Sequence, residues 1–123
     1  MILVDTSVWI DHLRAGDAAL AALLDANRVL AHPFVIGEIA LGSLRQRDLV
    51  LGALRDLPRA VVATDDEVDR MIGDQVLYGL GIGYVDAHLL AATRLTPGSA
   101  LWTRDRRLLA VADRLGLAAR PAH

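Results

Sequence analysis

Neither cysteine nor lysine occurs among the 123 residues. Without cysteine there are no disulfides and no thiolate zinc sites, so any metal must sit on oxygen or imidazole. Without lysine, every mechanism that needs an ε-amine is excluded, including a P-loop, which uses its lysine to reach the phosphates. Aromatic residues make up only 4% of the chain, and no apolar run approaches the ~20 residues of a membrane helix. The opening Met1-Ile2-Leu3-Val4-Asp5 lacks a basic region and a cleavage site, so a cytoplasmic location is expected. His12, His32, His88 and His123 are scattered and form no H-E-x-x-H pair, which argues against a zinc hydrolase. They read as surface or packing residues.

What is present is aliphatic. Hydrophobic residues make up 54% of the chain and are spread along it, as expected for a single domain, 1-123, around one core. Ile2 to Val4 predicts a strand, followed directly by a helix from Ser7 to Arg14. Asp17 predicts the cap of a second helix, Val29 to Ala31 a strand, and Pro33 the first turn of a helix reaching Leu41. Further helices are expected over Arg45 to Leu57, from the capping box at Thr64 to about Tyr78, over Tyr84 to Thr93, and over Asp105 to Leu115. Ala60 to Ala63, Ala100 to Trp102 and Ala118 to Arg120 complete the strand candidates. Strands alternating with helices imply an α/β fold with a short, mostly parallel sheet of four to five strands covered on both faces.

Most acids fall in polar surroundings that suit a solvated helix face or a cap. Four do not. Asp5 ends an apolar strand, Glu38 is the only charge between Pro33 and Leu41, Asp86 the only one between Tyr78 and Thr93, and Asp105 follows Leu101-Trp102-Thr103. A carboxylate in an apolar segment is costly to bury unless it is hydrogen-bonded, paired or on a metal. Asp105 alone could be a helix N-cap, Asp5 could bind the adjacent turn, and Glu38 and Asp86 could pair with arginine. Asp5 and Asp105 also lie past the carboxyl ends of predicted strands, where open parallel sheets gather ligands, and helices bearing Glu38 and Asp86 can point into the same crevice.

Two carboxylates about 4 Å apart repel by roughly 4 kcal/mol at an effective dielectric near 20, so a cluster of them favours a divalent cation. Oxygen-only ligation suits Mg2+ or Mn2+, ions that orient and activate phosphodiesters toward in-line attack in metal nucleases. Formal net charge is -2, and removing the four acids from that total leaves +2 for the remainder. Arg104, Arg106 and Arg107 beside Asp105 could hold phosphates, or could simply solvate a first helical turn.

The segments Val4-Asp5-Thr6-Ser7-Val8-Trp9-Ile10-Asp11, Ile36-Gly37-Glu38-Ile39, Gly83-Tyr84-Val85-Asp86-Ala87 and Leu101-Trp102-Thr103-Arg104-Asp105 resemble, in order and spacing, the signatures of PIN domains, specifically the VapC toxins of toxin-antitoxin pairs. The resemblance runs from the first strand to Gly116. It implies a PIN-like three-layer α/β/α sandwich and an Mg2+- or Mn2+-dependent endoribonuclease. By the same resemblance Asp5, Glu38, Asp86 and Asp105 are the catalytic and metal-binding acids, with Asp5 and Asp86 the main ligands and Thr6, Ser7 and Thr103 orienting them. It also implies a VapB-type antitoxin lying across the cleft, an RNA substrate, and a homodimer that forms a heterotetramer or larger complex with the antitoxin. The region from Arg45 to Leu57 is where that docking is sought.

Rival readings fare worse. Receiver domains and haloacid-dehalogenase-like phosphatases also place an acid after the first strand, but they commonly need a lysine, and Ser7 stands where the phosphatase pattern has its second aspartate. Gly79-Leu80-Gly81-Ile82-Gly83 lacks the G-x-G-x-x-G spacing of a dinucleotide site and reads as an interhelical turn. A non-catalytic binding subunit of a toxin-antitoxin complex is the remaining alternative.

Overall fold

A computed structural model describes residues 1–121, which leaves His123 outside the described residues. The element order is β1 (Ile2–Val4), α1 (Thr6–Ala15), α2 (Ala18–Asp25), β2 (Val29–Leu30), α3 (Pro33–Ala40), α4 (Arg47–Asp56), α5 (Asp65–Asp74), α6 (Tyr84–Leu95), β3 (Ala100–Trp102) and α7 (Arg106–Arg114). The strands form a parallel sheet in the order β2-β1-β3, with Ile2 opposite both Val29 and Ala100, and Val4 opposite Trp102. The first strand is therefore central, and both of its neighbours arrive later in the chain.

Successive side chains on a strand point to opposite faces. Leu3 and Val4 are both fully buried, as are Leu101 and nearly all of Trp102, so helices cover both faces of the sheet. The core they share includes Val8, Leu20, Leu51, Val68, Leu89, Leu90 and Leu108.

The sheet has three strands, not the four to five expected from sequence. The two missing ones survive as single parallel bridges, Ala31 to Arg59 and Leu101 to Ala118, one beyond each edge. On the first edge Pro58 accepts from the Ala31 N–H but has no N–H of its own, and the Val61 N–H turns away to Thr96 Oγ1 at 2.8 Å. Val61 and Val62 are accordingly half-exposed. On the other edge only Leu101 is engaged, by Leu117 and Ala119, before Pro121. The helix expected to reach Tyr78 ends at Asp74, because Val76 takes a left-handed conformation, with φ +54°, in a turn closed from Leu77 N–H to the Ile72 carbonyl. Its capping box is present, Thr64 and Glu67 each binding the other's backbone N–H.

Two histidines are packing residues, as expected. His32 is fully buried and caps α3, its Nδ1 accepting from the Phe34 N–H at 3.0 Å. The Phe34 ring lies against both His32 and His88, with centroids 5.2 and 4.6 Å apart. Among the described residues, Nε2 of His32 and both nitrogens of His88 have no hydrogen-bond partner. Burial, reinforced by His88 and Arg59, lowers His32 from 6.5 to about 4.

An unfolded chain takes a proton at this imidazole that the folded chain refuses, so stability is full above pH 6.5 and declines as pH falls toward 4. The loss across that window should be on the order of 3 kcal/mol. Urea-unfolding free energies measured across it should show this slope, and His32→Ser, which keeps a cap acceptor but cannot titrate, should flatten it. Equal slopes in the two proteins would contradict the assignment.

Candidate active site

The carboxyl ends of β1 and β3 lie side by side, and the site is built there. Asp5 follows β1 directly and is only 7% exposed. It occupies the N-cap position of α1 yet makes no cap bond. Its Oδ2 instead accepts from Ser7 Oγ at 2.8 Å and from Thr103 Oγ1 at 2.7 Å. Both hydroxyl protons are thereby committed to Asp5, and both hydroxyl oxygens are left to accept. Ser7 Oγ receives the Arg104 N–H and Thr103 Oγ1 receives the Asp105 N–H, each at 3.1 Å. The carboxylate thus organises the loop that follows β3 through two hydroxyls.

Asp105 ends that loop as the N-cap of α7, its Oδ1 accepting from the N–H groups of Arg107 and Leu108 at 2.9 and 3.0 Å. The capping role open to it from sequence is realised. Glu38 projects from the middle of α3, exposed, with Oε1 accepting from Thr6 Oγ1 at 2.7 Å. Asp86 stands in the first turn of α6, and its Oδ2 reaches back to the Gly83 N–H at 3.0 Å. Glycine has no side chain to return the bond, so this is half a capping box. The role of Gly83 was missed from sequence, although the N-cap to N3 spacing in Gly83-Tyr84-Val85-Asp86 carries the signal.

The four acids share one electrostatic environment. Burial pushes the Asp86 carboxyl up; the Gly83 N–H opposes this, and the negative charges of Asp5, Asp105 and Glu38 raise it further. The hydrogen bonds and this mutual repulsion thus mark the acids and hydroxyls singled out in the sequence as neighbours. Among the described residues they do not close into a ready-made cage of three or more ligands. Like charges kept apart by separate tethers account for that. In each acid one oxygen is held by a protein donor, and the other has no hydrogen bond among the described residues. A set of free carboxylate oxygens fits a hard divalent cation.

Arg104 departs from expectation. Its guanidinium is not presented to a phosphate but bridges Asp11 on α1 and Asp17, the N-cap of α2. It also lies over the Trp102 ring, 5.8 Å from the centroid. Arg104 is thus a clamp that fixes the β3 to α7 loop against the first two helices. No spacing rule in the sequence joins residues so far apart.

Residues 2–114 match the family model described as the PIN domain. The chain belongs to the PIN-domain family. Within that family it is 53% identical over 118 residues to a protein named ribonuclease VapC32 in two strains of Mycobacterium tuberculosis, CDC 1551 and H37Rv. The alignment covers 96% of this chain and 95% of each relative, so it places this PIN domain among VapC proteins. No solved structure gives a significant match.

An acid raised by burial and by like charges destabilises the fold at any pH where it is forced to ionise. That penalty is full above the folded pKa of Asp86 and vanishes below 3.8, its ordinary value. In metal-free buffer at neutral pH, Asp86→Asn should therefore melt at a higher temperature than the unaltered chain. The gap should close on acidification, and thermal melts in EDTA at several pH values would reveal it.

Proposed function

We propose that this PIN domain is a metal-dependent endoribonuclease, the toxin of a VapBC-type pair, and that Asp5, Glu38, Asp86 and Asp105 are its catalytic acids. The observation that carries the reading is the cluster of four tethered carboxylates, each with a free oxygen, in a chain with high identity to a named ribonuclease.

Asp5 and Asp86 are the principal seats for Mg2+ or Mn2+, with Glu38 and Asp105 completing the donor set. When bound there, such an ion supplies Lewis acidity and charge neutralisation for phosphodiester hydrolysis. The chain's own residues do the rest. Thr6 holds one oxygen of Glu38, leaving the other to accept a proton from the attacking water. Ser7 and Thr103 hold Asp5 in one rotamer, so its free oxygen keeps its direction between turnovers. The Gly83 N–H does the same for Asp86. Water oxygen bonds to phosphorus, the phosphorus bond to the leaving oxygen breaks, and that oxygen takes a proton from solvent.

A partner fits beside the cleft. A groove of about 700 Å3 runs between α1 and the α3 to α4 connection, lined by Ile10, Leu13, Ile39, Leu44 and Val50, with Glu38 also on its wall. Ile10 and Leu13 are left partly exposed there. An antitoxin tail laid along these apolar side chains, flanked by His12, Arg14 and Arg45, would reach Glu38 on the wall, which suits a VapB-type inhibitor. A homodimer that assembles with the antitoxin into a heterotetramer or larger complex completes the proposal. No helix among the described residues is long and apolar enough to cross a membrane.

Purified, antitoxin-free protein should cut total cellular RNA into discrete fragments in Mn2+ or Mg2+. EDTA should abolish the fragments, and Glu38→Gln should slow cleavage by about 100-fold or more, the usual worth of a positioned general base. Absence of cleavage by folded, metal-supplied protein would favour the non-catalytic binding subunit.

A further inference from the structure

The arginines beside Asp105 differ in what the fold leaves them free to do. Arg104 is consumed by Asp11 and Asp17. Arg107 is not. Its backbone N–H is fixed on Asp105 Oδ1 at 2.9 Å, which sets where its side chain begins. That side chain then crosses to the loop before α6 and lies on Gly81. A Cβ at residue 81 would stand 2.6 Å from Nη1 and 2.9 Å from Cδ of Arg107. Gly81 also holds φ +76°, a conformation that L side chains rarely adopt. The alternating glycines, which carry no nucleotide-binding pattern, thus acquire a local purpose: at residue 81 the missing side chain makes a bed for a guanidinium.

The bed lies between two turns that deliver acids. Gly81 is two residues from Gly83, whose N–H holds Asp86, while Arg107 starts from the turn capped by Asp105. Arg107 is exposed, and no ion pair or hydrogen bond among the described residues occupies its guanidinium. Although Asp105 is two residues away, the Arg107 guanidinium makes no ion pair with it among the described residues and lies instead against the Gly81 backbone. A planar fork of N–H donors in that position matches the oxygens of a phosphate.

We propose that Arg107, seated on Gly81, grips a backbone phosphate of the RNA next to the one being cleaved and so sets the strand's path across the α6 and α7 side of the acids. This rests on the reading of the chain as an RNA-cleaving enzyme. Arg107 is a substrate-binding residue here and takes no part in the proton transfers.

The experiment is steady-state cleavage of a mixed-sequence single-stranded RNA oligonucleotide in Mn2+ across a KCl series. The unaltered chain is compared with Arg107→Gln, Arg107→Lys and a control, Arg120→Gln, whose charge is already paired with Asp113. Arg107→Gln is expected to lower kcat/KM by about 10-fold or more, through KM rather than kcat, as loss of a charge-assisted phosphate contact does. The slope of log kcat/KM against log salt should become shallower by roughly 0.7, the value for one phosphate on a single strand. Arg107→Lys should keep the slope, because counterion release counts charge, and the control should match the unaltered chain. An Arg107→Gln slope equal to that of the unaltered chain overturns the inference while leaving the nuclease reading intact. Failure of the unaltered chain to cut RNA overturns both.

Discussion

The Asp5 carboxylate is the constraint on which the rest of the site depends. It is a buried anion at the end of the central strand, and it is tolerable there because two hydroxyls donate to one of its oxygens. Those hydroxyls come from opposite ends of the chain. By using their remaining lone pairs to accept from the N–H groups of Arg104 and Asp105, they dictate where the β3 to α7 loop runs and hence where Asp105 stands. Arg104 then locks the same loop from outside, through Asp11 and Asp17. Truncating Asp5 to alanine would leave the buried Thr103 hydroxyl and the half-buried Ser7 hydroxyl without their acceptor, so its effect cannot be read as loss of a ligand alone.

The site is built against its own stability in the absence of a cation. Asp86 is raised partly by the three acids around it, and each acid is restrained by neutral N–H or hydroxyl donors rather than by a neighbouring positive charge. Arg104 is committed to two structural aspartates, and Arg107, lying against Gly81, makes no ion pair with the acids among the described residues. Such a division keeps the carboxylate oxygens available, at the expense of a repulsion that at neutral pH a bound cation would relieve.

Much of this was legible in the sequence because it rests on local contrast. A lone charge in an apolar stretch marked Asp5, Glu38 and Asp86, a Thr-x-x-Glu spacing marked the start of α5, and short apolar runs marked β1 and β3. What escaped depends on contacts between distant residues. Whether Ala60 to Ala63 becomes a strand is decided by Thr96 Oγ1 taking the Val61 N–H, and no periodicity reports that. The helix ends early because Val76, a residue with no bias toward a left-handed turn, is placed in one. The fate of Arg104 is set by partners 93 and 87 residues away. The bonds that tie Glu38 to Thr6 and Thr103 to Asp5 likewise follow only once the strand order is known.

The bond from Thr103 to Asp5 spans 98 residues, and the strand that carries Thr103 to it is the last of the three. During synthesis the first strand leaves the ribosome with its acid already in place but with no hydroxyl from the far end to orient it. The cluster cannot assemble on a nascent or truncated chain that lacks β3 and the turn after it. Assembly of the acids therefore waits on the last strand of the sheet, so that the order of the strands along the chain also sets the order in which the site can be completed.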